Sequence, residues 1–293
     1  MSFFATLFEA ILFGISLGMI YLLVALGLTL IFGLMDVINF AHGALLTLGA
    51  YIGLTTWDAT GSYWLAFLIL VLSVALFGAL MERGLVKRLY GYNPIYQLLL
   101  TFGVALIIEG VIIQIYGEGG QRLDTPGFID GGPVAIGPAM VPQYRIYIIA
   151  ITLALLSVIW IVLQRSRLGL IIKAGIQDRE RTELLGIRLG RVNMIVFATG
   201  AALAAIAGFL AGPLLGVNPH LGTELLIISF AIVIIGGLGN IRGTVIAALL
   251  LGIVYNVSLF FYPSVADAMI FVVMGAVLIF KPHGLFGEGA LEA

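Results

Sequence analysis

The sequence predicts an all-α, polytopic integral membrane protein with eight or nine membrane segments, some of them broken or re-entrant. Three observations carry that expectation. Of 293 residues, 61% are apolar and 10% charged, and mean hydropathy is +1.17, so charges are too few to cover a soluble domain and a bilayer must be the solvent. Nine apolar runs follow one another, near 10–34, 43–57, 63–81, 95–116, 145–163, 192–216, 225–238, 244–261 and 265–280. The basic residues gather between these runs rather than within them.

Taken in order, the first run begins near Leu7 without a basic stretch before it and reaches about Met35. That is too long for the apolar core of a signal peptide, so it reads as a retained span. Several later runs are near the roughly 20 residues that cross the hydrocarbon. Runs 43–57 and 225–238 are shorter, and each adjoins a polar, glycine-containing break. Each is either a full span or a half-helix that dips into the bilayer.

Sidedness follows lysine and arginine, which favour the cytoplasm. Arg83, Lys87 and Arg88 follow the third run and Lys281 follows the last. The island at 164–191 follows the fifth and holds Arg165, Arg167, Lys173, Arg179, Arg181, Arg188 and Arg191, half of the protein's fourteen Lys and Arg residues. The loop at about 117–144, with Glu118, Asp124 and Asp130 against Arg122, belongs on the periplasmic side. Nine crossings then put the N-terminus outside and the C-terminus inside. The whole chain, 1–293, reads as one transmembrane domain.

Other functions are disfavoured by what is missing. A net charge of −1 argues against a nucleic-acid partner. The chain has no cysteine, which removes thiolate chemistry and disulfides. His42, His220 and His283 lie too far apart for a metal-ligand spacing. No GxxxxGK[ST] loop occurs, so any ATP that drives this protein is hydrolysed on another chain. No paired carboxylates or Ser/His pairing suggests an embedded enzyme.

Four stretches could carry function. In 37–51, VINFAHGALLTLGAY, Asn39 and His42 sit among apolar residues beside Gly43. Polar groups at membrane depth mark pathways or are paired. These two either line a route or lock a helix break, unless the stretch is an interfacial loop that caps a helix. In 234–251, Gly236, Gly237 and Gly239 precede Asn240 and read as a hinge, a helix break or a tight turn. The likeness between these two stretches is too weak to claim a repeat. Asn218, Pro219, His220 and Glu224 cluster before another apolar run, as an outer gate or as the cap of a helix starting near Thr223. Glu109 is a second intramembrane acid beside Glu224, either a proton relay or a paired or interfacial group.

The fourth stretch is the island itself, which reads as one amphipathic helix. Ile176, Leu184, Leu185 and Ile187 form its apolar face, Asp178 to Arg181 its polar face, and Gly186 its end. Positive-inside charge alone explains the basic residues but not Asp178, Glu180, Glu183 and the apolar stripe. A docking helix for a soluble partner explains both.

In order along the chain, these motifs resemble the LivH-type permease family of branched-chain amino-acid ABC importers, from about Gly14 to Phe286. The motifs are Asn39-Phe40-Ala41-His42-Gly43, Glu82-Arg83, Ser166-Arg167-Leu168-Gly169, Leu184-Leu185-Gly186-Ile187, Asn218-Pro219-His220-Leu221-Gly222 and 236–243, GGLGNIRG, with a weaker Gly284-Leu285-Phe286-Gly287. Thr182 and Glu183 depart from the small or apolar residues common in that family. The apolar Leu226-Ile227-Ile228 stands where some amino-acid permeases carry lysine.

The resemblance implies a permease subunit in a bacterial inner membrane. Its implied partners are two cytosolic ATPase subunits, a second related permease or a second copy of this chain, and a periplasmic substrate-binding protein. ATP and Mg would be bound by the ATPases, and this chain would bind no cofactor. Ala174, Gly175, Asp178, Glu183 and Gly186 would belong to the segment that couples to the ATPases. Asn39, His42, Gly43, Asn218 and Glu224 would lie on the substrate path or its gate. The solute would be a branched-chain or related amino acid, with urea, short amides or aromatic acids as alternatives. A proton-coupled carrier using Glu109 or Glu224 and a passive channel are the rivals from other classes.

Overall fold

A computed structural model describes residues 3–129 and 131–287, so Asp130 of the acidic loop lies outside the described residues. The helices are α1 (Phe3–Met35), α2 (Ala41–Thr60), α3 (Tyr63–Gly84), α4 (Pro94–Tyr116), α5 (Gln143–Arg165), α6 (Arg167–Gln177), α7 (Arg179–Leu184), α8 (Leu189–Leu215), α9 (Leu221–Gly236), α10 (Ile241–Phe261) and α11 (Ala266–Phe280). Among the described residues, seven helices are long and apolar enough to cross a membrane. The two short apolar runs are α2 and α9, of 20 and 16 residues. The loop after α4 also holds a hairpin that the sequence did not announce, β1 (Pro133–Ile136) paired antiparallel with β2 (Ala139–Pro142).

The protein is inside out relative to a soluble one. α1 and α8 are buried along most of their length, while α3, α4, α5 and α11 turn Leu72, Leu76, Ile107, Ile115, Ile161 and Ile279 outward. Apolar residues on the outside cost nothing where the surround is hydrocarbon. Small residues then decide which helices approach closely. Gly14 and Gly18 of α1 bring its backbone against α10 at Gly252, Ile253 and Ala248, and a hydroxyl pair, Thr29 with Thr244 at 2.8 Å, joins the same two helices.

Two breaks organise the centre. α1 runs from the hairpin end of the molecule to the end that carries the charged island. There Asp36, with φ +52°, reverses the chain. Residues 36–40 return into the molecule without helix, and α2 starts at Ala41. The second break mirrors the first. α8 rises to the hairpin end, where Val217 exchanges backbone hydrogen bonds with Gln121 (2.6 and 3.0 Å), and the chain then turns inward to start α9. Gly43 of α2 and Gly222 of α9 meet backbone to backbone, and Gly222 N donates to Thr47 Oγ1 (2.9 Å). From that crossing α2 climbs about 25 Å to the hairpin end and α9 descends about 21 Å to the charged end, at 1.5 Å per residue. The junction is therefore near mid-membrane.

Local geometry repeats at the two breaks. Asn39 Oδ1 accepts from Ala41 N (3.1 Å) and Asn39 O from His42 N (3.3 Å). Asn218 Oδ1 accepts from His220 N (2.9 Å) and Asn218 O from Leu221 N (3.2 Å). Packing repeats as well: α1 lies on α10 as α8 lies on α3, and α2 lies on α8 as α9 lies on α1. The chain is an inverted repeat with its axis through the glycine crossing, a design known for membrane carriers. Sequence comparison set 37–51 beside 234–251, whereas the structural match of 39–43 is 218–222.

Candidate functional site

Asn39 and His42 lie fully inside the protein. His42 Nε2 contacts Val24 O (3.0 Å) on α1, and a Cβ on Gly27 would strike the imidazole. Thr101 Oγ1 of α4 accepts from Phe40 N (3.1 Å) and holds the break from the other side. Asn39 Nδ2 and His42 Nδ1 are buried and have no hydrogen-bond partner among the described residues. Gly43 is the contact point with α9. His42 holds the first break against α1, the Gly43 backbone holds it against α9, Asn39 closes its turn, and all three are buried.

The second break presents polar groups outward. Asn218 closes the turn before α9, and no side chain caps the helix itself, whose N-cap is His220. His220 Nδ1 lies 2.7 Å from Glu109 Oε1 on α4, with the two side chains 55% and 23% exposed. Thr223 and Glu224 are exposed in the first turn of α9. A carboxylate at this end of a helix is favoured by the helix dipole, yet a charge held in hydrocarbon at the bilayer centre costs about 3 kcal/mol on insertion scales. Sequence reading weighed Glu109 and His220 separately, and only the fold shows them as a pair.

The charged island is two helices rather than one. Asp178 adopts extended backbone (φ −158°, ψ 101°), ends α6 and caps α7 by accepting from Arg181 N (2.9 Å). An aspartate competes well for free backbone N–H groups, which is why the helix divides there. Ser166 caps α6 in the same way through Gly169 N (3.1 Å). Gly175 is buried against Leu34 and Leu189, so α6 is pressed onto the ends of α1 and α8, and Ala174 beside it is half-buried. Glu183 sits 3.6 Å from Arg179 on the outer surface. Gly186, at φ +81°, ends α7, and Leu184 and Leu185 just before it are each 80% exposed.

One polar chain connects the island to the membrane helices. Arg179 lies over the Tyr90 ring at 5.4 Å, and Tyr90 Oη donates to Glu82 Oε1 (2.7 Å) at the buried end of α3. Burial pushes the Tyr90 hydroxyl up from its ordinary pKa, and the bond to Glu82 pushes it further. Asn193 of α8, oriented to satisfy both its ends, accepts from Arg179 Nη2 and donates to Leu189 O, each at 3.3 Å. The Glu82-Arg83 step was visible in the sequence, but its partners 90 and 179 were not.

Gly236, Gly237 and Gly239 form the turn between α9 and α10, with Gly237 and Gly239 at φ +96° and +78°. Gly236 packs on Gly243, and Gly239 on Gly33 at the end of α1. The segment near the C-terminus locks this turn: Leu285 N donates to Ile235 O (2.7 Å) and Asn240 Nδ2 to Phe286 O (2.8 Å). Beside it, an open cavity of about 1060 Å³ separates the ends of α1 and α9 from α6, with Asp36, Lys173, Arg179, Asn240 and His283 on its walls.

Residues 10–281 match the family described as the permease component of the branched-chain amino acid transport system. The chain belongs to this family. It is 29% identical over 292 residues to the high-affinity branched-chain amino acid transport permease BraD of Pseudomonas aeruginosa, covering 95% of each chain. It is 28% identical over 296 residues to LivH of Escherichia coli K12, again over 95% of each. A ribose import permease of Haemophilus influenzae is 26% identical over 200 residues, 64% of this chain. No solved structure matches it. Membership of a permease family, together with the apolar helices, makes this chain a multi-pass membrane transport subunit. Both breaks, both asparagines and the island fall within the matched span.

Proposed function

We propose that this chain is the membrane-spanning subunit of an ATP-driven importer, carrying a branched-chain or closely related amino acid into a bacterial cell across its inner membrane. The carrying observation is the tip of α7. Leu184 and Leu185 are each 80% exposed, beyond the apolar belt, beside charged Arg181 and Glu183. Exposed leucines on a charged surface fit an apolar groove on a soluble partner.

In this reading the island is cytoplasmic and the loop at 117–144 periplasmic. Two ATPase subunits bind ATP and Mg and receive α7. A second permease completes the membrane assembly, and a periplasmic binding protein delivers the solute. Ala174, Gly175, Asp178, Glu183 and Gly186 shape the docking segment. Movement of α7 passes to α3 through Arg179, Tyr90 and Glu82, and to α1 and α8 through Gly175. Packed helices respond to such a push by switching between discrete arrangements. Glu224 and Asn218 lie on the outward break and belong to the route or its gate, while Asn39, His42 and Gly43 secure the opposing half-helix. Gly236, Gly237 and Gly239 supply the turn about which α9 moves.

Support for the amino-acid reading comes from the names of the relatives that cover the chain nearly end to end. The ribose permease favours a second reading, the same assembly with a different small polar solute. Purification of tagged protein from its native membrane in mild detergent tests the assembly. Two ATPase chains and a second permease should co-purify. Recovery of this chain alone, still active in vesicles without ATP, would overturn the importer and promote the proton-coupled carrier.

A further inference from the structure

We propose that Glu109, His220, Thr223 and Glu224 line the solute's route, on a face of this subunit that a second permease chain walls off from lipid, and that this lining selects solutes bearing an ammonium group. The inference rests on the importer reading above.

Depth comes first. Glu224 and Thr223 follow Gly222, which marks mid-membrane by its crossing with Gly43. Glu109 lies about 10 Å inside the hairpin end of α4, counting 1.5 Å per residue from Tyr116. His220 joins it at 2.7 Å. The polar groups continue outward: Tyr255 of α10 is within electrostatic reach of Glu224 and of Asp267 in the first turn of α11. Polar side chains therefore occur from the hairpin end to the middle of the membrane around the start of α9.

Exposure comes second. Ionisable groups at this depth face a bundle interior or water, because acyl chains cannot hydrate them. Here they lie on the outside of the chain: Glu224 and Thr223 are exposed and the His220 side chain is 55% exposed. Water must reach them, and water at membrane depth needs a protein wall. The outward line of α4 next to this face has room for one, since a Cβ on Gly103 or Gly110 would meet nothing within 4 Å. Glycines inside the subunit are instead filled by neighbouring helices, as at Gly14, Gly18 and Gly43. A permease chain of the same fold is the occupant that supplies both a wall and a matching polar face.

Charge comes third. α4, α9 and α11 contain no lysine or arginine, whereas Glu109, Glu224 and Asp267 are all acidic. The first N–H groups of α9 are already used: Leu221 N on Asn218 O, Gly222 N on Thr47 Oγ1, and Thr223 N and Glu224 N on His220 O. With those N–H groups engaged, the donors left on this chain's side of the route are neutral hydroxyls and the His220 ring, and α4, α9 and α11 offer a solute carboxylate no lysine or arginine. The carboxylates suit the ammonium end of a zwitterion, and an anionic solute without one meets three like charges and no lysine or arginine on these helices.

The chain lacks cysteine, so single-cysteine variants need no background replacement. Thr223→Cys and Glu224→Cys, with Ile161→Cys on the outward face of α5 as control, would be treated in vesicles with membrane-impermeant methanethiosulfonates carrying ammonium or sulfonate. The expected result is labelling at 223 and 224 at least tenfold faster than at 161. The ammonium reagent should be preferred at 223, and adding Glu224→Gln should reduce that preference. A benzophenone placed at Gly110→Cys should cross-link to a permease-sized chain in the purified assembly. Reactivity at 223 and 224 as low as at 161 would overturn the lining. An equal rate for the two reagents would overturn the ammonium selectivity, and cross-links to lipid alone would overturn the wall. ATPase co-purification, read on the same preparations, separates these failures from failure of the importer itself.

Discussion

Leu184 and Leu185 are the two residues on which coupling is expected to turn. No described residue of this chain buries them, and a leucine that becomes fully buried contributes roughly 1.5 to 3 kcal/mol. Changing both to alanine should weaken ATPase association by on the order of 100-fold and leave the fold intact. Pull-down of the ATPases alongside a thermal melt of the permease checks both halves of that statement. Tyr90→Phe acts on the next link. It leaves Glu82 buried without its hydrogen-bond donor, at a cost of about 2 kcal/mol, and should lower the melting temperature and the solute moved per ATP. His42 shows where sequence reading stopped short. A histidine at membrane depth signals either a route or a lock, and the contact with Val24 and the full burial are what favour the lock. His42→Ala is therefore expected to cost roughly 2 to 4 kcal/mol of stability through a cavity and a lost hydrogen bond, seen as aggregation in detergent before any selective loss of uptake.

At the scale of elements, the account depends on two half-helices whose starts cross. Gly43→Val or Gly222→Val would drive a side chain into the opposing backbone and is expected to abolish the folded peak in size-exclusion chromatography. Gly103→Ala, on an open face, should leave that peak unchanged. The two short runs were legible in the sequence as possible half-helices, because each was flanked by a polar break. The inverted relation between them was not, since an inverted repeat preserves contacts and turn geometry rather than residue identity. What survives is an asparagine four residues before a glycine, Asn39 with Gly43 and Asn218 with Gly222, too short a signal to stand out from the other polar breaks. The division of the island at Asp178 was missed for a different reason. Charge pattern and apolar stripe both ran through it, and the cap that breaks the helix is a single side chain.

At the scale of the molecule, hydropathy alone separates inside from outside poorly, because lipid-facing and buried residues are equally apolar. α1 and α5 have similar hydropathy, yet 78% of one apolar window is buried and 17% of the other. Fold class, the order of spans and the charged ends were all readable from the sequence. Which helices form the centre was not, since it depends on where glycines admit a neighbour. The central claim is that this chain moves solute only when pushed from its island by ATP hydrolysis on other chains. Its most direct test is uptake into proteoliposomes holding the purified assembly, with ATP inside or outside and a protonophore present or absent. The account predicts uptake of a branched-chain amino acid that requires ATP on the island side, is unaffected by the protonophore, and is abolished by Leu184→Ala with Leu185→Ala. Uptake that proceeds without ATP and collapses with the proton gradient would contradict it.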